Sequence, residues 1–353
     1  MTDISELDTP CVLIDIDRVE ANLARAQAYA DSHGLRLRPH IKTHKLPRFA
    51  KRAMELGAVG ITVQKLGEAE VFADAGISPI FLPYNIIGPA KLARLRALHA
   101  RVDISVTADS AETVEGLSRA FADSPTPLTV LVECDTGMGR CGVQSPEAAL
   151  ALAGKIANSP GLRFGGLMTY PAAGQVEANA QFLANAKTLL TEAGLPPETI
   201  SNGGTPDLWR AHEVTAATEH RPGTYIYMDR SQVARGVGGF EDCALTVLAS
   251  VVSRPTPDRA IIDAGSKALT SDTLGMEGFG LIEAYPGAII TGLSEEHGTI
   301  DLAACADRPA IGEKLRIIPN HACVVSNLFD RVHLISGDHL VETVAVAARG
   351  RVD

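Results

Sequence analysis

No Cys-x-x-Cys pair occurs in the chain, although it holds six cysteines, at positions 11, 134, 141, 243, 305 and 323. Most of them lie in apolar, strand-like contexts, which suits reduced, buried thiols in a cytoplasmic protein better than a disulfide framework. There is no basic tract. Lys plus Arg number 32 against 42 Asp plus Glu, for a net charge of −10, and the charges are spread along the chain, which argues against a nucleic-acid partner. No apolar run reaches the ~18 residues of a membrane span. The N-terminus, Met1-Thr2-Asp3-Ile4-Ser5-Glu6, is acidic and lacks the apolar core of a signal peptide. Internal repeats and low-complexity segments are also missing. What is present is a chain of 353 residues, 46% hydrophobic, with room for one large domain, a smaller one and a sizeable core.

From Arg18 to about Arg230, short β-branched runs alternate with alanine-rich helical runs. Strands are expected at Leu35–Ile41, Gly60–Val63, Pro79–Leu82, Val102–Val106, Leu128–Glu133, Phe164–Thr169, Thr199–Ser201 and Thr224–Tyr227. Helices are expected between them, with Ser110 and Ser145-Pro146 as helix starts. Eight such units over roughly 210 residues predict an α/β fold, a closed (β/α)8 TIM-type barrel rather than an open doubly wound sheet. After about Asp242 the pattern changes to short strands separated by Pro, Gly, Asp and His turns: Leu245–Val252, Ala260–Asp263, Gly280–Ala284, Lys314–Ile318, Val324–Leu328 and Val332–Ser336. This predicts a second, antiparallel β domain, which the opening strand Cys11–Ile16 can join. The expected boundaries are 18–241 for the barrel, and 1–17 with 242–353 for the β domain.

Several constellations carry chemistry. Arg38-Pro39-His40-Ile41-Lys42-Thr43-His44-Lys45 sets two His and two Lys where the first barrel strand ends. A lysine there reaches the catalytic face of such a barrel, where a lowered pKa suits Schiff-base chemistry; a solvated basic turn is the plainer alternative. Ser201-Asn202-Gly203-Gly204-Thr205-Pro206 and Arg221-Pro222-Gly223-Thr224-Tyr225 fall by strands seven and eight, the usual phosphate site of this architecture. A lysine on strand one with a phosphate cradle across the barrel suggests pyridoxal 5′-phosphate. His321-Ala322-Cys323, if on a strand, faces both side chains one way, where they can grip one cation, zinc more readily than magnesium. Two packed side chains are the alternative. Arg140, in Glu133–Val143 after strand five, can reach an anionic group or a pyridine nitrogen, or hold a structural turn through an Arg–Asp pair. Tyr170, at the end of strand six, is a ring-stacking or a core residue. Glu295-Glu296-His297-Gly298 is a supporting polar group or a simple turn.

Taken together these elements resemble the D-threonine aldolase and D-serine dehydratase family, alanine racemase-like pyridoxal phosphate enzymes. The resemblance runs from Asp8-Thr9-Pro10 through Gly60–Lys65, Gly139–Val143, Gly203-Gly204-Thr205, Asp263–Lys267 and Glu296–Gly298 to Pro319–Cys323. It implies that Lys42, rather than Lys45, is the Schiff-base lysine. It further implies that His40, Gln64, Arg140, Tyr170, Ser201, Gly203, Gly204, Thr205, Gly223, Thr224 and Tyr225 contact the cofactor. His321 and Cys323 would hold a divalent metal, zinc or manganese, beside the substrate's β-oxygen. The implied activity is that of a lyase of β-hydroxy-D-amino acids, working as a homodimer. His-x-Cys is the spacing of the dehydratase members, whereas Val324–Asp330 resembles aldolase-like bacterial members. Tyr170-Pro171-Ala172-Ala173 departs from patterns with a histidine just after the tyrosine. The expectation is a D-threonine aldolase. A D-serine or 3-hydroxy-D-aspartate dehydratase is the alternative, and a racemase or a non-catalytic pyridoxal phosphate carrier is a more distant one.

Overall fold

The computed structural model describes residues 3–353, which form two compact units. The first strand, β1 (Cys11–Asp15), belongs with the β unit. The barrel unit comprises Arg25–Lys42, Leu46–Gly223 and Arg351–Asp353. Its strands are β2 (Arg36–Leu37), β3 (Ile61–Thr62), β4 (Ile80–Asn85), β5 (Ile104–Ala108), β6 (Leu128–Cys134), β7 (Leu162–Thr169), β8 (Thr199–Asn202) and β9 (Glu219–His220). All pair in parallel, in the order β2-β9-β8-β7-β6-β5-β4-β3. A parallel bridge from His40 to Thr62 joins the two ends and closes the barrel. Helices fill the intervals, and Ser110 and Ser145 cap two of them by accepting from the N–H groups of Thr113 and Ala148.

The eighth barrel strand differs from the expected one. Thr224–Ile226 is a 3-10 turn, and the strand is Glu219–His220. Two charged or polar residues can occupy a barrel strand here because both are partnered inside it. The Glu219 carboxylate takes Arg38 Nε at 3.0 Å and the Ser201 hydroxyl at 2.6 Å, and His220 bonds a carbonyl.

The second unit holds the described residues up to Ala24, Thr43–Lys45 and Thr224–Gly350. Residues 18–24 and 224–241, expected in the barrel, group here. The Asn22 amide donates to the carbonyls of Ile226 and Asp242, and Arg18 donates to that of Cys243. Its strands are β10 (Leu245–Thr256), β11 (Arg259–Ile262), β12 (Leu281–Ile282), β13 (Ile289–Leu293), β14 (Gly298–Asp301), β15 (Lys314–Ile318), β16 (Arg331–Ser336) and β17 (His339–Ala345). The long β10 is central, pairing antiparallel with β1, β11 and β15. The sheet is antiparallel except where β1 runs parallel to β16. Val324–Leu328, expected as a strand, lies within a helix, Ala322–Leu328. A short apolar run does not separate a strand from a buried helical turn. All six cysteines are free, as expected; Cys11, Cys134 and Cys243 are buried, Cys305 and Cys323 half-buried, and Cys141 exposed. Among the described residues no helix is long and apolar enough to cross a membrane.

Candidate active site

Polar groups collect at the C-terminal ends of the barrel strands, as the architecture favours. Lys42 sits in a single 3-10 turn, Ile41–Thr43, just past the closing bridge rather than in the strand itself. The backbone N–H of Lys42 donates to His40 Nδ1 at 3.3 Å, and His40 Nε2 lies 3.0 Å from Gln64 Oε1. That assigns the proton to Nε2 and makes His40 a brace between strand ends. Lys42 Nζ is 5.9 Å from the Tyr170 ring centroid, and the Arg140 guanidinium is 5.2 Å from the same ring. Tyr170 therefore packs with two cations, and Arg140 does not hold its own loop. Asp135 does that, accepting from Gly137 and Gly139 N–H at 3.0 and 3.1 Å.

Across the barrel, Gly203 has φ +85°, in the left-handed region. A Cβ there would lie 2.0 Å from the His220 ring, and one on Gly204 would lie 2.7 Å from Tyr170. Only glycine fits at either place, and the bare backbone of this turn is suited to a phosphate. The Thr205 hydroxyl accepts from Gly223 N–H at 3.1 Å and ties the two glycine loops together. Ser201 stands apart: its hydroxyl donates to Glu219 inside the barrel. Arg221 is fully buried. Burial lowers its pKa to about 10 against the opposing pull of Glu219 and Glu133, and its Nε has no partner among the described residues. Burial likewise raises the pKa of Glu133, at the end of β6, with Arg140 opposing. A cavity of about 420 Å³ is lined by Gln64, Tyr84, Asn85, Glu133 and Arg140, among others. A smaller one, about 190 Å³, lies at the opposite mouth beside Arg38, Arg163 and Glu219, where barrel residues serve stability.

The second unit carries its own cluster. His321 is the N-cap of the helix Ala322–Leu328 and Cys323 lies in its first turn. The two side chains hydrogen-bond to each other, so a helix start, not a strand face, brings them together. His321 Nδ1 is 2.8 Å from Asp272 Oδ2. Burial lowers the His321 pKa, but Cys323 and Asp272 outweigh it and raise the value to about 9. The Cys323 sulfur is 3.1 Å from the Thr43 hydroxyl and 3.5 Å from that of Thr224. Thr224 thus turns its side chain to Cys323, while Tyr225 is buried in this unit. The donor set suits a borderline metal: an imidazole with Nδ1 held by a carboxylate, and a thiol ringed by hydroxyls. Among the described residues no group of three or more His, Cys, Asp or Glu side chains is placed to hold a metal. Glu295 and Glu296 form an exposed hairpin turn, both paired with Lys267.

The helix start depends on Asp229. Its buried carboxylate accepts from Ser231 Oγ at 2.7 Å, Gln232 N–H at 3.1 Å and Ala322 N–H at 3.0 Å. Burial raises its pKa and these bonds oppose that. Asp229→Ala strands the Ala322 N–H, whereas Gln232 N–H keeps the carbonyl of residue 229, and is expected to cost about 2 kcal/mol, read as a lower denaturation midpoint.

Comparison with known proteins bears on both clusters. Residues 14–231 match the family model for the alanine racemase N-terminal domain, and 244–335 match that for a putative serine dehydratase domain. The D-threonine aldolase of Arthrobacter sp is 37% identical over 98% of this chain and 94% of its own. The solved D-threonine aldolase of Filomicrobium marinum superposes with a TM-score of 0.92 at 33% identity, covering 99% of this chain and 98% of that one. The chain belongs to the D-threonine aldolase and D-serine dehydratase family. Within that family, the D-threo-3-hydroxyaspartate dehydratase of Delftia sp. (strain HT23) is 35% identical over 96% of each chain. A mutant of an enzyme of that name, in its metal-free form, superposes with a TM-score of 0.89 at 30% identity, over 98% and 99% of the two chains.

Neither Asp272 nor Asp229 belongs to any of the sequence motifs. Asp272 sits in a polar loop with no pattern, and Thr43 reads from sequence only as a neighbour of Lys42. Arg221 lies in the family motif Arg221–Tyr225 and Glu133 opens the Glu133–Val143 segment, and only their burial marks them out.

Proposed function

We propose that this chain is a pyridoxal 5′-phosphate- and divalent metal-dependent lyase of β-hydroxy-D-amino acids, in the first place a D-threonine aldolase giving glycine and acetaldehyde. The observation that carries the reading is the pairing of Lys42, braced by His40, with a glycine turn across the same barrel that admits no side chain. When bound, the cofactor supplies a sink for the electron pair left at Cα, and the metal a Lewis acid for the β-oxygen. Lys42 holds the cofactor aldehyde through its ε-amine. The backbone of Gly203, Gly204, Thr205 and Gly223 would receive the phosphate, and Tyr170 with Arg140 packed on it would help to hold the cofactor. His321 presents Nε2 to the metal because Asp272 occupies Nδ1, and Cys323 supplies sulfur. Loss of the β-hydroxyl proton breaks Cα–Cβ, and a proton returned to Cα completes glycine. A cytoplasmic homodimer belongs to the same reading.

The His-x-Cys pair favours a second outcome, dehydration. There the Cα proton leaves, hydroxide departs from Cβ, and the product hydrolyses to a keto acid and ammonia. Incubating the enzyme and metal with D-threonine, D-serine and 3-hydroxy-D-aspartate separates the two. Glycine as the main product from D-threonine is the expected result. Keto acid with no glycine rejects the aldolase.

A further inference from the structure

Three bonds tie the loop after β8 to the end of β9 and the loop beyond it. Arg221 N–H donates to the Asn202 carbonyl at 3.0 Å, Gly223 N–H donates to the Thr205 hydroxyl, and His220 Nε2 lies 3.1 Å from the Gly204 carbonyl. The last requires the proton on Nε2, since a carbonyl only accepts. His220 is 2% exposed, and its ring fills the space where a Gly203 Cβ would stand, 2.0 Å from Cε1 and 2.3 Å from Nδ1. Burial first, then the neighbouring Arg221 cation, bring its pKa down to about 4, against the opposing Gly204 bond. The ring is therefore neutral across the working range. It keeps one donor and one unprotonated nitrogen, and that nitrogen has no partner among the described residues.

We propose that His220 is the positioning residue of the phosphate turn. Its imidazole clamps the Gly204 carbonyl and backs Gly203, so that the N–H groups of the turn point outward to a phosphate monoester. The role rests on the cofactor reading above. Acting through the turn, His220 is expected to affect the phosphate more than the rest of the cofactor.

The test compares pyridoxal 5′-phosphate with pyridoxal, which lacks the phosphate, on the cofactor-depleted full chain. Trp209, in the 3-10 segment Thr205–Glu213 that follows the turn, serves as the fluorescent reporter. His220→Leu removes the donor at similar volume, and His220→Gln places an amide N–H near the same point. The Leu variant is expected to bind pyridoxal phosphate about 10-fold more weakly, as for one lost hydrogen bond that positions a charged ligand. Its pyridoxal affinity should stay within about twofold of wild type, and Gln should restore most of the loss. Equal weakening of both ligands shows a general packing role and overturns the proposal, as does an unchanged phosphate preference in His220→Leu. Lack of any phosphate preference in the wild type overturns the cofactor reading, and this proposal with it. A measurement without a variant covers the case in which Leu does not fold: nitrogen-15 spectra of the wild type at neutral pH should show His220 as the neutral Nε2–H tautomer. The Nδ1–H tautomer overturns the clamp.

Discussion

Lys42→Ala should abolish the visible absorbance band of the lysine-bound cofactor and lower turnover by about 10³-fold or more, the scale of losing a covalent catalytic group. The local structure explains why no neighbour can substitute. The 3-10 turn Ile41–Thr43 carries Lys42 beyond the closing bridge, and His40 fixes its backbone. Lys45, three residues on, is buried in the other unit, with Nζ on the Ala348 carbonyl at 3.3 Å and its backbone at φ +54°. Borohydride reduction of the holoenzyme followed by peptide mass mapping should place the cofactor on Lys42. A label on Lys45, or a band that survives Lys42→Ala, removes Lys42 from the role.

The second large effect belongs to the metal pair. Treatment with a chelator should lower activity by about 10²–10³-fold, as expected when a Lewis acid worth several kcal/mol is withdrawn. Zinc or manganese should restore it. His321→Ala and Cys323→Ala should each match the chelated enzyme, and the double variant should be scarcely worse than either, because ligands of one ion act as a unit. Metal content measured beside activity distinguishes lost metal from lost fold. Full activity in metal-free protein ends the metal reading. Asp272→Ala should fall between, with metal affinity reduced about 10–100-fold, as for a carboxylate that only orients its imidazole.

How legible the chain was depended on element length and on whether chemistry followed local pattern. Helices such as Ala111–Phe121 and Pro146–Ala157 announced themselves by capping serines and apolar spacing. Barrel strands such as Leu128–Cys134 did so by unbroken apolar runs, since a parallel strand is covered on both faces. The eighth strand failed that test. Thr224–Tyr227 has the residue types of a strand, yet the sheet is completed by Glu219–His220, whose polar side chains bond Arg38, Ser201 and the Gly204 carbonyl. In the β unit, β17 is not legible because its mostly exposed positions blur the alternation, and β13 and β14 because five and four residues are too few to show one.

By itself the sequence determined the fold class, the order of the barrel and β segments, and the family, because apolar periodicity, helix caps and glycine turns act over a few neighbouring residues. Only the tertiary structure decided that His321 and Cys323 meet at a helix start instead of on a strand, that Asp272 and Asp229 hold that start, and that His220 lies beneath Gly203. The contacts of Asp272, Asp229 and His220 join residues from 16 to more than 90 positions apart. No local propensity encodes them, and they exist only once packing has removed water and left each buried polar atom to find a partner.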